Sequence, residues 1–146
     1  MIVHDIAEYE DGDSELAKYT ISRLHNEIKK KKYTKEQLLE IINHYGINEQ
    51  QKYIHSEYFE LDEAIIETRE LMRNLEGKSP KVIEPTIKPY IVHISEEIAD
   101  VMVMLKQIQY YFNIKDEDIE GMMDFKIKRQ LNRIEKEKEN KNEKEK

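Results

Sequence analysis

The sequence predicts an all-α protein, and three observations lead to this class. Glycine occurs 4 times and proline 3 times in 146 residues, so the chain is poor in the residues that form turns. Charged residues make up 38% of the chain, and glutamate, lysine, isoleucine and leucine are abundant, as in helical proteins. In the longer segments the apolar residues recur at spacings of three and four, which is the period of an amphipathic helix.

The first predicted helix lies near the N-terminus. An acidic, turn-like segment opens the chain, and Asp13 or Ser14 can cap a helix over residues 15–32. That helix ends in four consecutive lysines, which suit the negative C-terminal end of a helix dipole. We treat residues 1–37 as an N-terminal helical extension.

Two more helices follow in the first half of the chain. Thr34 and Gln37 have the spacing of a capping box, which predicts the start of a short helix. Gly46 is a natural terminator for it. Asn48 can then cap a long helix that runs to about Gly77.

The second half of the chain begins with a proline-rich segment. Residues 77–89 hold all three prolines, which predicts a loop because proline interrupts a helix. A helix over 90–112 follows, and a last helix starts near Asp116. Residues 135–146 are a balanced run of charges without an apolar face, which predicts either a frayed, solvated helix or a disordered tail.

Composition narrows the classes of function. The net charge of -7 argues against a general nucleic-acid-binding protein, which needs a basic face, and suits a protein that binds cations. Cysteine is absent, which excludes disulfides and thiolate chemistry and fits the cytoplasm. No stretch approaches the roughly 20 apolar residues of a membrane span, and the N-terminus lacks the apolar core of a signal peptide. We therefore expect a soluble cytoplasmic protein with no nucleic-acid or membrane partner.

Two apolar stripes predict where the acids of the long helices point. The stripes consist of Ile91, Ile94, Ile98, Val101, Leu105, Ile108 and Phe112 on the later helix, and of Ile54, Tyr58, Leu61, Ile65 and Met72 on the earlier one. At about 100° per residue, Glu97 and Asp100 fall on one shoulder of the later stripe. Glu57 and Glu60 fall on the matching shoulder of the earlier one. If the two helices pack antiparallel through these stripes, all four acids line the rim of one groove.

Four carboxylates at a half-buried rim predict a site for a cation. They repel one another, so their pKa values rise unless a cation neutralises them. Hard divalent ions such as Mg²⁺ take oxygen ligands and keep waters for a phosphate partner. Zinc and di-iron sites are disfavoured, because cysteine is absent and none of the five histidines follows a glutamate at E-x-x-H spacing. The pattern therefore indicates Mg²⁺, with Mn²⁺ as an alternative.

A non-enzymatic interpretation of the same acids stays open. The chain holds 31 acidic residues, and pairs three residues apart also occur at Glu8/Asp11, Glu60/Glu63, Glu67/Glu70 and Glu117/Glu120. Such a pair is ordinarily a solvated helix surface. In that case the protein would be an acidic helical interaction module, indifferent to Mg²⁺.

The motifs around the four acids resemble those of a known family. The pattern Q-x6-E-x2-E-L is formed by Gln50, Glu57, Glu60 and Leu61, and the stretch "EEIADVMVML" follows. Together they resemble the MazG-like all-α nucleoside triphosphate pyrophosphohydrolases, with the phage-type members closest. The ending "MMDFKIKRQLNRI" is similar to the basic final helix of those members. The resemblance covers residues 38–134 and leaves the charged tail, 135–146, outside. The two acid motifs are 36 residues apart, further than in compact members.

The resemblance implies an activity and roles for named residues. A Mg²⁺-dependent enzyme would hydrolyse a nucleoside triphosphate to the monophosphate and pyrophosphate, as a house-cleaning enzyme of the nucleotide pool. The metal ligands would be Glu57, Glu60, Glu97 and Asp100, with one of the glutamates as general base. Substrate contacts would come from Gln50 and from three cations on one flank of the last helix, Lys126, Arg129 and Arg133. Those cations could equally form a solvated basic face.

The expected architecture is a helical bundle around two long antiparallel helices. We expect oligomerisation to complete this bundle. The predicted partners are a nucleoside triphosphate and further copies of the chain, in a dimer or tetramer.

Overall fold

The structure is a computed structural model that describes residues 33–145, and all regular secondary structure in this part of the chain is helical. The helices are α1 (Lys35–Tyr45), α2 (Ile47–Asn74), α3 (Pro80–Tyr111) and α4 (Asp116–Lys144). The all-α class is therefore confirmed. The helix predicted over 15–32 lies outside the described residues. None of the described helices is long and apolar enough to cross a membrane.

Helix α1 begins and ends as its sequence predicts. The Thr34 hydroxyl accepts a hydrogen bond from the Gln37 backbone N–H at 3.2 Å, and the Gln37 side chain accepts one from the Thr34 N–H at 2.9 Å. Gly46 ends the helix with φ at +90°, a backbone conformation that favours glycine. The buried side chains of Leu38 and Ile42 hold α1 against α2. The predicted cap at Asn48 is wrong, because α2 already begins at Ile47.

Helix α3 begins ten residues earlier than predicted, and the expected proline-rich loop over 77–89 is wrong. The connection between α2 and α3 spans only residues 75–79. Pro80 occupies the first helical position, where its missing N–H is not needed. Pro85 and Pro89 lie inside the helix, four residues apart, so the two missing backbone donors fall on one side of it. The half-buried Ile83 and Ile87 repeat at the same spacing, so packing outweighs the cost of the prolines.

Helices α2 and α3 face each other along a seam with a seven-residue repeat. From Gln50 onwards, the buried and half-buried positions on α2 and the residue after it are Gln50, Ile54, Glu57, Leu61, Ala64, Thr68, Leu71 and Leu75. On α3 the residues with the matching repeat are Ile83, Ile87, Tyr90, Ile94, Glu97, Val101, Met104 and Ile108, all buried or half-buried except Tyr90, which is 37% exposed. The buried Gln107, beside Ile108, also faces α2. Alternating steps of three and four are the pattern by which two helices pack side by side.

The two helices run in opposite directions. Near the start of α2, Gln50 contacts Gln107 near the end of α3, with 2.7 Å between the side-chain Nε2 and Oε1. Further along α2, a carboxylate oxygen of Glu57 lies within 4.8 Å of one of Glu97, which is ten positions earlier on α3 than Gln107. The order of partners is thus reversed along the two helices, which is the antiparallel arrangement.

The seam is rotated from the stripes expected from sequence. Its α2 side keeps Ile54 and Leu61 but leaves Tyr58, Ile65 and Met72 exposed. On α3, Ile94, Val101 and Ile108 lie in the seam or at its edge, whereas Ile91, Ile98, Leu105 and Phe112 are exposed. The apolar surface of both helices is wider than one neighbour can cover, so spacing alone did not decide which edge is buried.

The chain divides into two compact units, the first ending at Ile108 and the second beginning at Gln109. In the second unit, the buried Gln109 side chain donates hydrogen bonds to the Ile114 carbonyl at 3.0 Å and to the Asp116 carboxylate at 2.8 Å. These two bonds stabilise the turn before α4. No residue of α4 is buried. Residues 135–144 are helical and exposed, so of the two predictions for the tail the solvated helix is the one observed.

Candidate metal site

Three carboxylates converge where α2 and α3 cross the middle of their seam. Glu57 and Glu60 come from α2 and Glu97 from α3, and one oxygen of each lies within 4.8 Å of the other two. The seven-residue repeat explains this placement, because it puts Glu57 and Glu97 in the seam at positions that normally hold apolar side chains. Glu60, one turn after Glu57, lies on the flank of the seam and is exposed.

The buried oxygens of this cluster lack protein partners. Glu97 is only 8% exposed, and Glu57 is half-buried. Their Oε2 atoms are both inaccessible to solvent and have no hydrogen-bond partner among the described residues. Buried polar atoms are almost always paired, since an unpaired one forfeits its hydration without compensation. Two such carboxylate oxygens in neighbouring glutamates are therefore stabilised by a bound cation or by protonation.

The electrostatics of the cluster favour neutralisation. Burial raises the pKa of Glu57, and the charges of Asp100, Glu60 and Glu97 raise it further. The pKa of Glu97 is also raised, first by burial and then by Glu60, while His93 acts in the opposite direction. His93 lies one turn before Glu97, with 3.8 Å between its Nδ1 and the Glu97 Oε1. Both shifts mean that the ionised cluster is costly without a counter-charge.

The donor set fits a hard divalent cation. All three ligating atoms are carboxylate oxygens, the type that Mg²⁺ and Mn²⁺ prefer. Two oxygens bound to one Mg²⁺ at its usual ligand distance can be at most about 4.2 Å apart. The three oxygens lie within 4.8 Å of one another, and the exposed Glu60 side chain can make any adjustment that binding one ion requires. No sulfur ligand is available, since the chain has no cysteine.

Asp100, the fourth predicted ligand, stands apart from the three glutamates. It is exposed and is not among the residues whose oxygens converge. Its charge nevertheless raises the pKa of both Glu57 and Glu97, so it belongs to the electrostatic surroundings of the cluster. Helical geometry places Asp100 on the same flank of the seam as Glu60. Its role as a direct ligand stays a prediction.

Gln50 occupies the interior rather than the surface. Its side chain is 5% exposed and donates a hydrogen bond to Gln107, which is itself 2% exposed. This one hydrogen bond joins the two amides across the seam, and we infer that it holds α2 and α3 in the register that brings Glu57 next to Glu97. A contact between Gln50 and a substrate stays a prediction. The seven-residue spacing from Gln50 to Glu57 is the signal in the sequence that could have placed both in the seam.

The predicted cationic residues lie on α4, in the second unit. Lys126, Arg129 and Arg133 are all exposed, and the Arg129 guanidinium lies 6.0 Å from the centre of the Phe125 ring. This is a weak cation–π contact that leaves the guanidinium N–H groups accessible. A role for Lys126, Arg129 and Arg133 in substrate binding stays a prediction.

In comparisons with known proteins, no family model, curated protein or solved structure matches the chain. The functional assignment therefore depends on the geometry of the acid cluster and on the resemblance of its motifs.

Proposed function

We propose that the protein is a Mg²⁺-dependent nucleoside triphosphate pyrophosphohydrolase that releases a nucleoside monophosphate and pyrophosphate. The observation that supports this most is the convergence of Glu57, Glu60 and Glu97 with two buried, unpartnered oxygens. This cluster can bind a divalent cation, and the bound cation would in turn bind an anionic substrate. The choice of a triphosphate, and of the bond between its α and β phosphates, comes from the motif resemblance.

The three glutamates have different surroundings, which suggests different tasks. Glu57 and Glu97 lie in the seam and would hold the cation from the protein side. When bound, Mg²⁺ supplies charge neutralisation of the phosphates and lowers the pKa of a coordinated water. Glu60 is the exposed member and can reach the solvent-facing side of the cluster, so it is the best placed to accept the proton of the attacking water. That water would attack the α phosphorus as the bond to the bridging oxygen breaks and pyrophosphate leaves.

The remaining parts of the proposal concern substrate contacts and assembly. Lys126, Arg129 and Arg133 would neutralise charge on the triphosphate. The protein would work in the cytoplasm as a homo-oligomer, a dimer or tetramer, in which a bundle forms around α2 and α3. This architecture would cover apolar side chains that the single chain leaves exposed.

A pyrophosphate-release assay tests the proposed reaction. All common ribonucleoside and deoxyribonucleoside triphosphates are supplied with Mg²⁺, with Mn²⁺ or with a chelator, and pyrophosphate and monophosphate are measured together. We expect release of both products from at least one nucleotide, dependent on the metal, and a loss of at least 100-fold in Glu97→Gln or Glu60→Gln.

Matched controls are available on the same helices. Glu96 precedes Glu97 and Glu63 lies one turn after Glu60, and both are exposed and outside the cluster. Glu96→Gln and Glu63→Gln should therefore retain activity. Absence of pyrophosphate release from every nucleotide with either metal would favour the acidic interaction module instead.

A further inference from the structure

A histidine lies beside the acid cluster, on the same side of α3 as Glu97. His93 precedes Glu97 by one helical turn, a spacing that places two side chains next to each other on one side of a helix. The His93 Nδ1 lies 3.8 Å from the Glu97 Oε1. The His93 side chain is 50% exposed, whereas that of Glu97 is only 10% exposed, so the imidazole borders the cluster from the solvent side. The cluster therefore has a nitrogen atom beside its three carboxylates.

The 3.8 Å separation suits two ligands of one metal ion. A direct N–H···O hydrogen bond spans about 2.7–3.2 Å, so the His93 nitrogen and the Glu97 oxygen are too far apart to form one. Two ligand atoms that each lie about 2.0–2.2 Å from one ion are roughly 2.8 Å apart at right angles and up to about 4.4 Å apart across the ion. The observed distance falls within this range. His93 and Glu97 can therefore bind one ion without any movement of the backbone.

His93 also lies on the flank of the seam that carries Glu60. At about 100° per residue, His93 is about 40° around α3 from Glu97. Asp100 is displaced from Glu97 in the same direction, toward the flank of Glu60. Because the two helices are antiparallel, one turn before Glu97 on α3 is level with one turn after Glu57 on α2, which is the position of Glu60. His93 and Glu60 therefore border the same end of the cluster.

The buried carboxylate and the two exposed side chains have complementary properties for binding an ion. Glu97 is 8% exposed, and its Oε2 has no hydrogen-bond partner within residues 33–145. His93 is not among the groups whose ligand atoms converge within 4.8 Å, so its ring has to turn toward Glu60 when an ion binds. Both side chains are exposed and can make this turn. A neutral imidazole then offers the lone pair of one ring nitrogen.

We propose that His93 is a ligand of the ion at the acid cluster, together with Glu57, Glu60 and Glu97, and makes the site select first-row transition ions over Mg²⁺. Imidazole nitrogen binds ions such as Fe²⁺, Co²⁺ and Zn²⁺ well, whereas Mg²⁺ prefers oxygen ligands. Carboxylates alone do not provide this discrimination. The inference rests on the proposed function, because both require an ion at the acid cluster.

Calorimetric titration of the metal-free, full-length protein with Co²⁺ or with Mg²⁺, without nucleotide, tests the selection. For the wild type we expect a Kd for Co²⁺ at least about 10-fold below that for Mg²⁺. His93→Ala removes the nitrogen ligand, so the Kd for Co²⁺ should rise at least about 10-fold and that for Mg²⁺ less than about 3-fold. His55→Ala is the matched control and should change neither Kd, because His55 is an exposed histidine of α2 outside the cluster.

Proton NMR of the Co²⁺ complex tests the ligand directly. Paramagnetic Co²⁺ shifts the ring protons of a bound histidine far outside the ordinary spectrum, and the ring N–H signal disappears in heavy water. Spectra are recorded at a Co²⁺ concentration that saturates each protein. We expect shifted imidazole signals in the wild type and in His55→Ala, and their loss in His93→Ala. Circular dichroism checks that each variant keeps its helices.

Two results would overturn this inference and leave the proposed hydrolysis standing. One is a saturated Co²⁺ complex of the wild type that lacks shifted imidazole signals, or whose signals persist in His93→Ala. The other is a His93→Ala protein that keeps the wild-type Kd for both ions. A wild-type protein that binds neither ion would overturn this inference and the proposed function together.

Discussion

The buried pair of Gln50 and Gln107 allows a quantitative test of how the site is held together. Replacing Gln107 by leucine removes the 2.7 Å hydrogen bond and leaves the Gln50 amide buried without a partner. Stranding a buried polar group costs about 1–3 kcal/mol. A central value of about 2 kcal/mol corresponds to a fall of roughly 8–16 °C in Tm for a unit of this size. Replacing both residues by leucine removes both polar groups, and the cost should nearly vanish.

The measurement is a double-mutant cycle in thermal and urea unfolding. Wild type, Gln50→Leu, Gln107→Leu and the double variant should give a coupling free energy of about 4 kcal/mol in magnitude, because each single variant strands one amide at a cost of about 2 kcal/mol and the double variant strands none. Gln51→Leu, at the exposed neighbouring position, is the control and should change stability by less than about 0.5 kcal/mol. Two single variants that are each near neutral and strictly additive would refute the reasoning that this pair is a buried, mutually satisfied contact.

Three further predictions concern the acid cluster and the prolines. Saturating Mg²⁺ should raise the Tm of the wild type and of Glu96→Gln but not of Glu97→Gln. At a Mg²⁺ concentration of 100 Kd, binding adds about 2.7 kcal/mol to the free energy of unfolding. An equal rise in the Tm of all three proteins would mean that the ion binds elsewhere. Without divalent ions, the raised pKa values of Glu57 and Glu97 mean that the folded state binds more protons than the unfolded state above the ordinary value of 4.5. The free energy of unfolding should therefore fall as pH rises from 4.5 through the raised pKa values. Urea unfolding should show a smaller fall for Glu97→Gln than for the wild type. Pro89→Ala restores a backbone hydrogen-bond donor inside α3 and should raise the Tm. Pro80→Ala, at the first helical position, is the control and should change the Tm little. A lower Tm for Pro89→Ala would contradict a helix that continues through this residue.

The acid cluster illustrates a conflict between stability and function. Seam positions in paired helices normally hold apolar side chains, and this seam places Glu57 and Glu97 there with no hydrogen-bond partner for their Oε2 atoms within residues 33–145. A chain selected for stability alone would not keep this arrangement, since replacing either acid by an apolar residue would relieve the burial cost. Residues that break a local packing rule are commonly those that carry function.

Much of the fold follows from local sequence. The helical class, the capping box at Thr34, the stop at Gly46 and the start of α4 at Asp116 are set by residues close in the chain, and all four match the structure. Glu57, Glu60 and Glu97 each offer an oxygen within 4.8 Å of the others, whereas the fourth expected acid, Asp100, is not among them, and the metal site itself stays a prediction. Periodicity predicts that Glu57 and Glu60 lie on one side of α2, because residues three and four apart share one side of a helix.

Other features were decided only by tertiary packing. Proline at Pro85 and Pro89 locally disfavours a helix, yet the chain continues through both, because half-buried isoleucines there pack on the seam. Residues close in the chain also did not determine which apolar edge of α3 faces α2. Both edges carry the same seven-residue spacing, so the sequence alone permits either, and the free energy of burial against a neighbouring helix selects one. That rotation moved Glu97 from the shoulder of the helix into the seam, left Asp100 outside it, and left Ile98 exposed.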